Sequence, residues 1–238
     1  MEQSKSNNLA NLLGCLSYVV IFLVAVISFI FWYIATPHPK QGDTDSRALQ
    51  AKYRDKDVSE CFYFGRYPQK ANGAIEEIKW RVLQRDSDSL LVISEMALDC
   101  KPYNKSSVAI TWDDCTLRRW LNDKFFNIAF TVQEQSLIKA NDLSGHADPS
   151  AEDRVFLLSI GEAKRLFTSN SERITKPTDY AVENGVCIRE RATWWWLRSQ
   201  GSSGNTTAVV YENGLIMVCG YEVQLDDIAV RPALRLVL

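Results

Sequence analysis

The sequence predicts an α+β domain that follows one N-terminal transmembrane helix. Three observations lead to this fold class: an uncharged apolar run near the N-terminus, alternating runs that form strands and turns, and a helical block between two groups of strands. We divide the chain into a short tail (1–11), the transmembrane helix (12–35), a polar juxtamembrane linker (36–59) and one globular domain (60–238). A domain of about 180 residues can bury a substantial core.

The apolar run from Leu12 to Ala35 contains 24 residues, and no Asp, Glu, Lys or Arg occurs between Lys5 and Lys40. As a helix it would rise roughly 36 Å, enough to cross a hydrocarbon core of about 30 Å. A cleaved signal peptide has a shorter apolar region that ends in small residues, whereas Tyr33 stands at that position here. A buried core helix would show a polar face. We therefore expect an uncleaved single-pass anchor whose partner is the lipid bilayer of the cell membrane.

The sequence is compatible with two positions of the domain, extracellular or cytosolic. More basic residues follow the anchor than precede it, which favours a cytosolic domain, but long domains cross membranes largely regardless of loop charge. The linker is polar, and its stretch 47–52 is helical in composition but has too little apolar surface to pack against a core. We expect the domain to be extracellular, with a cytosolic position as the alternative.

The first half of the domain is predicted to contain a strand, a hairpin and a helical block. Residues 61–65 form a short strand, and the runs 78–83 and 90–93 flank a polar turn, which is typical of a hairpin. In 115–130 the large apolar residues are spaced so that they share one face of a helix.

Two further helices are predicted from their N-terminal sequences. The capping-box pattern occurs at Thr131–Glu134 and at Ser159–Glu162, so a helix begins directly after the first residue of each pair. Residues 154–158 form a short buried strand or an extended lead into the second of these helices. Pro177 opens another short helix, which Gly185 closes.

The last third of the chain is predicted to be mostly β-structure. Its strands lie at 193–197, 208–211, 215–218 and 228–238. Asn213 and Gly214 form the turn of a hairpin, because this pair tolerates the positive φ of tight turns. Pro232 interrupts the last strand, which should therefore be an edge strand or be bulged at that point.

The composition excludes several classes of function. The formal net charge is −2 with both signs interspersed, so the chain has no electrostatic footprint for nucleic acid. Its two histidines are His38 in the linker and His146 in a polar loop, and neither is a good candidate for the catalytic histidine of a Ser–His–Asp or Cys–His centre. The domain has no Cys-x-x-Cys pair, and we expect no metal site and no cofactor.

Five cysteines lie in the domain, so at least one thiol stays unpaired within a monomer. Cys100 and Cys115 flank a loop of 14 residues and are the best disulfide candidates if the domain is extracellular. Such a bond would stabilise the domain by about 3 kcal/mol on the loop-entropy relation. In a cytosolic domain all five thiols would instead be small buried hydrophobic groups.

Six motifs occur in order along the domain. They are FGRYPQ (Phe64–Gln69), WRVL (Trp80–Leu83), LDCKPYN (Leu98–Asn104), TWDDCTLRRWLN (Thr111–Asn122), WWLRS (Trp195–Ser199) and VRPAL (Val230–Leu234). Together they resemble a widespread, uncharacterised bacterial domain family over about 60–238. The last two also resemble the C-type-lectin-like fold shared with formylglycine-generating enzymes and retroelement-diversified binding proteins. The chain departs from the usual pattern at Gln200, where WLRS is normally followed by Pro-Gly.

The resemblance leaves more than one function open. In formylglycine-generating enzymes a reactive cysteine pair carries the chemistry, and Cys187 with Cys219 are the residues that would take this role here. Their surroundings do not match that enzyme's motif. One alternative is therefore a membrane-tethered enzyme with a reactive cysteine. Another is a cytosolic scaffold at the membrane surface that binds a protein partner.

The function that we expect is non-catalytic recognition of a glycan or protein ligand at the bacterial cell surface. Tryptophan, tyrosine and asparagine supply large rigid contacts and adaptable hydrogen bonds. The residues expected to form the recognition surface are Trp194, Trp196, Arg198, Tyr211, Asn213, Tyr221 and Glu222. Alternation in a strand places the first two on one face. The competing interpretation assigns most of these rings to the core and pairs the arginine with a buried carboxylate.

Overall fold

The structure, a computed structural model, describes residues 41–141 and 152–238, with side chains from residue 45 onward. The predicted transmembrane helix at 12–35, as well as His38 and His146, lies outside these residues. In the described part of the chain, no helix is both long enough and apolar enough to cross a bilayer.

The described residues form short strands and short helices. The strands are β1 (Cys61–Pro68), β2 (Ile75–Arg85), β3 (Ser89–Ser94), β4 (Asp99–Cys100), β5 (Ile138–Lys139), β6 (Val155–Phe156), β7 (Ile188–Arg189), β8 (Ala192–Thr193), β9 (Trp195–Gln200), β10 (Thr206–Val210), β11 (Ile216–Glu222), β12 (Ala229–Val230) and β13 (Ala233–Val237). The helices are α1 (Gln41–Gln50), α2 (Thr116–Trp120), α3 (Phe126–Ala129), α4 (Val132–Leu137), α5 (Ile160–Leu166), α6 (Asn170–Arg173) and α7 (Asp179–Glu183).

Two sheets carry most of the strands. In the first, the order is β1-β2-β3-β13-β5, and β6 also pairs with β13. In the second, the order is β11-β10-β9-β12-β4, where β12 runs parallel to β9 and the other pairs are antiparallel. The strands β7 and β8 form a separate hairpin. The predicted α+β class, with short antiparallel sheets and a few helices, is confirmed.

Both hairpins predicted from local sequence are present. In the first, β2 and β3 pair antiparallel with Val82 opposite Val92. In the second, β10 and β11 pair with Val210 opposite Ile216, and Gly214 in the turn has a φ of 78°. A positive φ of this size is one that glycine adopts without a steric penalty, so the turn residue and the backbone agree.

Pro232 separates two strands that belong to different sheets. Strand β12 ends at Val230 in the second sheet, and β13 begins at Ala233 in the first. Since proline has no N–H to donate, the chain leaves one ladder here and enters the other, while the Pro232 carbonyl accepts from Ser94 N at 2.9 Å. The sequence predicts one final strand at 228–238, either an edge strand or bulged at Pro232. The structure corrects this: the segment forms two strands, and neither lies at an edge, because β12 pairs with β9 and β4 and β13 pairs with strands on both sides.

The helical predictions hold with one modification. Both capping boxes, Thr131–Glu134 and Ser159–Glu162, are formed, and α4 and α5 begin where predicted. The block 115–130 is helical, but a π-helical turn at Leu121–Phe125 joins α2 to α3. A π-turn adds a residue to one turn of the helix, and periodicity alone does not reveal it.

The folded unit begins before the predicted boundary. Contacts group Asp45–Leu238 as one unit. Tyr53, which the sequence assigned to the linker, has no exposed surface, and its hydroxyl donates to the Val237 carbonyl at 2.9 Å. Its ring centroid lies 5.4 Å from that of Phe62 on β1. The linker predicted at 36–59 is therefore too long at its C-terminal end, because one large ring within it packs into the core.

Candidate functional site

Trp196 and Arg198 lie inside the domain. Trp196 has no exposed surface, and its indole nitrogen donates to the Lys101 carbonyl at 2.9 Å. Arg198 forms an ion pair with Glu162 and donates to the Leu157 carbonyl at 2.8 Å. The first three residues of β9 are all buried, so alternation does not distinguish an outer from an inner face there. The structure therefore removes both residues from the predicted recognition surface.

Trp194, Tyr211 and Tyr221 form a half-buried group that we call the aromatic cluster. The centroid of the Trp194 ring lies 4.6 Å from that of Tyr211 and 5.0 Å from that of Tyr221. The two tyrosine hydroxyls are 2.9 Å apart, so one donates to the other. Burial and this hydrogen bond raise the pKa of Tyr211 to about 12, which keeps its hydroxyl protonated at neutral pH. The pairing of β9 with β10 places Trp194 beside Tyr211, and the Tyr221 side chain reaches both from β11.

Polar and charged side chains surround the aromatic cluster. The indole nitrogen of Trp194 donates to the Glu212 carboxylate. The guanidinium carbon of Arg189 lies 5.1 Å from the centroid of the Trp194 ring, within cation–π range. Asn213, in the turn after β10, and Glu222, the last residue of β11, are both exposed. The structure therefore adds Arg189 and Glu212 to the predicted set.

Arg189 directly precedes a two-residue hairpin turn whose backbone has positive φ angles. Glu190 has a φ of 50° and Arg191 a φ of 67°, both in the left-handed region. Two-residue hairpin turns of this kind normally use Asn and Gly, which adopt positive φ easily. For other residues such a conformation costs on the order of 1–3 kcal/mol, and it is concentrated at functional sites. Since Glu190–Arg191 is no turn signal, the sequence does not predict this hairpin.

The turn between β10 and β11 is fixed by contact with α6. A Cβ atom at Gly214 would lie 1.8 Å from the carbonyl oxygen of Asn170, so no other residue fits there. The side-chain oxygen of Asn213 accepts from Leu215 N at 3.0 Å. The turn therefore holds Tyr211, which directly precedes it, in a defined position on the surface.

Comparison with known protein families identifies the family of this chain. The sequence profile of a family described as "Domain of unknown function (DUF6273)" matches residues 87–238, which is more than half of the chain. The chain belongs to this family. No curated protein and no solved structure matches it. The predicted membership of an uncharacterised domain family is thereby confirmed, and the matched region includes the aromatic cluster and the last four sequence motifs.

One motif of this DUF6273 chain, TWDDCTLRRWLN, packs around a buried carboxylate. Asp153 has no exposed surface and accepts from Trp112 Nε1 at 3.0 Å and from Arg118 Nε at 2.6 Å. Asn122 Nδ2 donates to it at 3.2 Å. Burial raises the pKa of Asp153, although these donors act in the opposite direction. Much of the motif therefore has a structural role, as it compensates a carboxylate that water does not reach.

Cys100 and Cys115, the disulfide candidates for an extracellular domain, are both free thiols in this DUF6273 domain. The Cys100 sulfur donates to the Asp226 carbonyl at 2.9 Å. The Cys115 sulfur caps the N-terminus of α2, where it accepts from Arg118 N at 3.3 Å. Each sulfur has a separate hydrogen-bond partner, which explains why two buried cysteines in neighbouring motifs need not be bonded to each other.

Thiol labelling should separate the cysteines of the folded protein. Burial raises the pKa of Cys100 to about 12 and that of Cys115 to about 11, whereas Cys219 is exposed. At mildly alkaline pH we expect iodoacetamide to modify Cys219 quickly and the two buried thiols only in denaturant, since the thiolate is the reactive form. Peptide mass spectrometry measures this difference. Rapid modification of Cys100 in the folded protein would contradict its assignment as a buried, protonated thiol.

Cys187 and Cys219, the pair considered for enzyme chemistry, lie in different places. Cys187 is half-buried just before β7, and Cys219 is exposed on β11, which belongs to another sheet. Both are free thiols. Over residues 41–141 and 152–238, no group of three or more His, Cys, Asp or Glu is placed to hold a metal ion.

Proposed function

We propose that this DUF6273 protein is a non-catalytic recognition domain that binds a glycan through the aromatic cluster. In this proposal residues 12–35 anchor the chain in the cell membrane, and the domain, with its C-type-lectin-like fold, is extracellular. The observation that carries the proposal is the aromatic cluster itself. Three rings meet at the surface, and the Glu212 carboxylate and the Arg189 guanidinium contact Trp194.

The chemistry of the cluster suits a sugar. Aromatic rings pack against the apolar C–H faces of pyranose rings, while carboxylate, amide and guanidinium groups exchange hydrogen bonds with hydroxyls. Glu212 and Arg189, which contact Trp194, supply such groups. Asn213 and Glu222 are exposed close to Tyr211 and Tyr221 in the sequence. Because the rings hold one another and the turn is fixed at Gly214, little conformational entropy is lost on binding.

Two features support recognition over catalysis. Cys187 and Cys219, the pair considered for enzyme chemistry, belong to different parts of the sheet structure, since Cys187 precedes the β7–β8 hairpin and Cys219 lies on β11 of the second sheet. The Tyr211 hydroxyl is paired with that of Tyr221, and its pKa is raised to about 12, far from the neutral pH at which a general acid or base works best.

Substitution of Trp194 tests the proposal. The full-length wild-type protein in detergent is screened on an array of bacterial cell-wall and capsular oligosaccharides, and Kd is then measured for the bound glycan. We expect Trp194→Ala to weaken binding by about tenfold or more, as for the anchor residue of an interface. Tyr63→Ala is the matched control, since Tyr63 is exposed on β1 and outside the cluster.

Two outcomes would count against this function. If the wild-type protein binds no glycan on the array, or if Trp194→Ala binds as tightly as the wild type, the cluster is not a glycan site. Capture of a single protein whose binding depends on Trp194 would assign the cluster to a protein ligand instead.

A further inference from the structure

A groove formed by the segment after β4 and the outer face of α2 carries a second site. It consists of two adjoining cavities with volumes of about 330 and 220 Å³. We infer that this cationic groove binds an acidic polysaccharide through the carboxylates of the sugar chain. The side chains that carry the inference are Lys101, Lys105, Thr116, Arg119, Trp120 and Lys124.

The residues that line the cationic groove are mostly positively charged. Four of its lining residues are basic, and Asp123 is the one carboxylate among them. Lys105, Arg119 and Lys124 are exposed, and none of them forms an ion pair with a carboxylate of the described residues. Like charges gathered in a concave surface raise the local concentration of anions. The groove therefore favours an anionic ligand.

Trp120 distinguishes this groove from an ordinary basic surface. In the described part of the chain, five other tryptophans donate the indole N–H to an acceptor within the protein: Trp80, Trp112, Trp194, Trp195 and Trp196. Trp120 has no such acceptor among the described residues, and its N–H is open to solvent. It lines both cavities. A half-buried indole normally finds a partner for its N–H, so this donor is available to a ligand.

The Trp120 ring is held in place by its neighbours. Its centroid lies 5.5 Å from that of Phe125, and the Lys101 ammonium lies 4.8 Å from the ring centroid. The same ammonium is 3.4 Å from the carboxylate of Asp99, which has almost no exposed surface. Phe125 and the Lys101 ammonium therefore fix the orientation of the ring and of its N–H, a donor that suits a carboxylate oxygen.

Hydrogen bonds connect the two walls of the groove. The Thr116 hydroxyl oxygen accepts from Lys105 N at 3.1 Å, and the Asn104 side-chain oxygen accepts from Thr116 N at 3.2 Å. These bonds connect the segment after β4 to the start of α2. The relative position of the basic residues is thus set before a ligand arrives, which reduces the entropy lost on binding.

The shape and chemistry favour an acidic sugar chain over other polyanions. Basic residues lie in both cavities, on either side of Trp120, which suits a ligand with repeated acidic groups. An acidic peptide would bring backbone N–H groups that need acceptors, and the charged side chains of the groove are almost all donors.

Calorimetric titration of the full chain in detergent with polygalacturonate tests this site. We expect Lys105→Glu to weaken binding by about tenfold, since it replaces a cation by an anion. Lys164→Glu makes the same charge change at an exposed position on α5, outside the groove, and should leave Kd within about twofold. Trp120→Phe keeps an aromatic ring and removes the N–H, and it should weaken binding by about tenfold. Circular dichroism confirms that each variant is folded.

Several results would overturn the inference. Binding of polygalacturonate no tighter than that of neutral dextran would remove the site. Equal losses for Lys105→Glu and Lys164→Glu would show a general charge effect instead of a groove. Tighter binding of polyphosphate or of polyglutamate would assign the groove to phosphate polymers or acidic peptides. The groove is tested by Lys105→Glu and Trp120→Phe and the aromatic cluster by Trp194→Ala, so failure of one site and failure of the other can be distinguished.

Discussion

An Asp153→Ala variant should unfold at a much lower urea concentration than the wild-type domain. The substitution removes the acceptor for Trp112 Nε1 and the carboxylate that pairs with Arg118, while both side chains stay largely shielded from water. Breaking a buried ion pair by removing one partner destabilises a protein by about 3–5 kcal/mol. Since domains of this size are stable by about 5–15 kcal/mol, a large share of the stability would be lost.

Two further variants sharpen this test. Asp153→Asn keeps an oxygen that accepts from Trp112 but removes the charge that faces Arg118, so its urea midpoint should lie between those of the wild type and Asp153→Ala. Asp88→Ala removes a carboxylate that pairs with Lys139 at the surface and should leave the midpoint unchanged. Circular dichroism during urea titration gives all the midpoints. If Asp153→Ala matched Asp88→Ala, the buried network would not stabilise the fold.

The elements predicted correctly from the sequence are those with local signals. A capping box such as Thr131–Glu134 is satisfied within one turn, and the Asn213–Gly214 turn requires only its own backbone. Around Pro232, local sequence predicts only part of the structure. The missing N–H of this proline predicts an interrupted ladder, but the transfer of the chain to another sheet depends on Ser94 and its neighbours, which are distant in sequence.

The candidate surface was predictable only in part, for a similar reason. Trp194 and Tyr211 lie together because β9 pairs with β10, with Trp195 opposite Val210. The ladder between β10 and β11 places Tyr221 opposite Thr207, so the contact of Tyr221 with Tyr211 does not follow from strand pairing and is known only from the structure. Trp196 was misplaced because alternation separates two faces only when one face is open to water, and β9 is covered on both. The sequence does not predict a binding role for Trp120, because its spacing in the helix is that of a core residue. Only the structure shows that the other tryptophans of the described residues have acceptors for their indole N–H groups and that Trp120 has none.

Tyr53→Ala should also destabilise the domain strongly, although the sequence places Tyr53 in a linker. The ring is fully buried between Phe62 and Phe64, with centroid distances of 5.4 and 5.9 Å. Loss of a buried aromatic side chain leaves a cavity and costs about 3–5 kcal/mol. Urea unfolding followed by circular dichroism should therefore show a midpoint well below that of the wild type.

Tyr53→Phe separates the ring from its hydroxyl. This variant loses only the hydrogen bond to the Val237 carbonyl, which should lower the free energy of unfolding by about 1 kcal/mol. Tyr63→Ala removes a ring of the same kind that is 49% exposed on β1, and it should have little effect. Equal midpoints for Tyr53→Ala and Tyr63→Ala would restore the predicted boundary at residue 60. A large difference would mean that the chain before β1 completes the core, so that a domain truncated to begin at residue 60 would lack part of it.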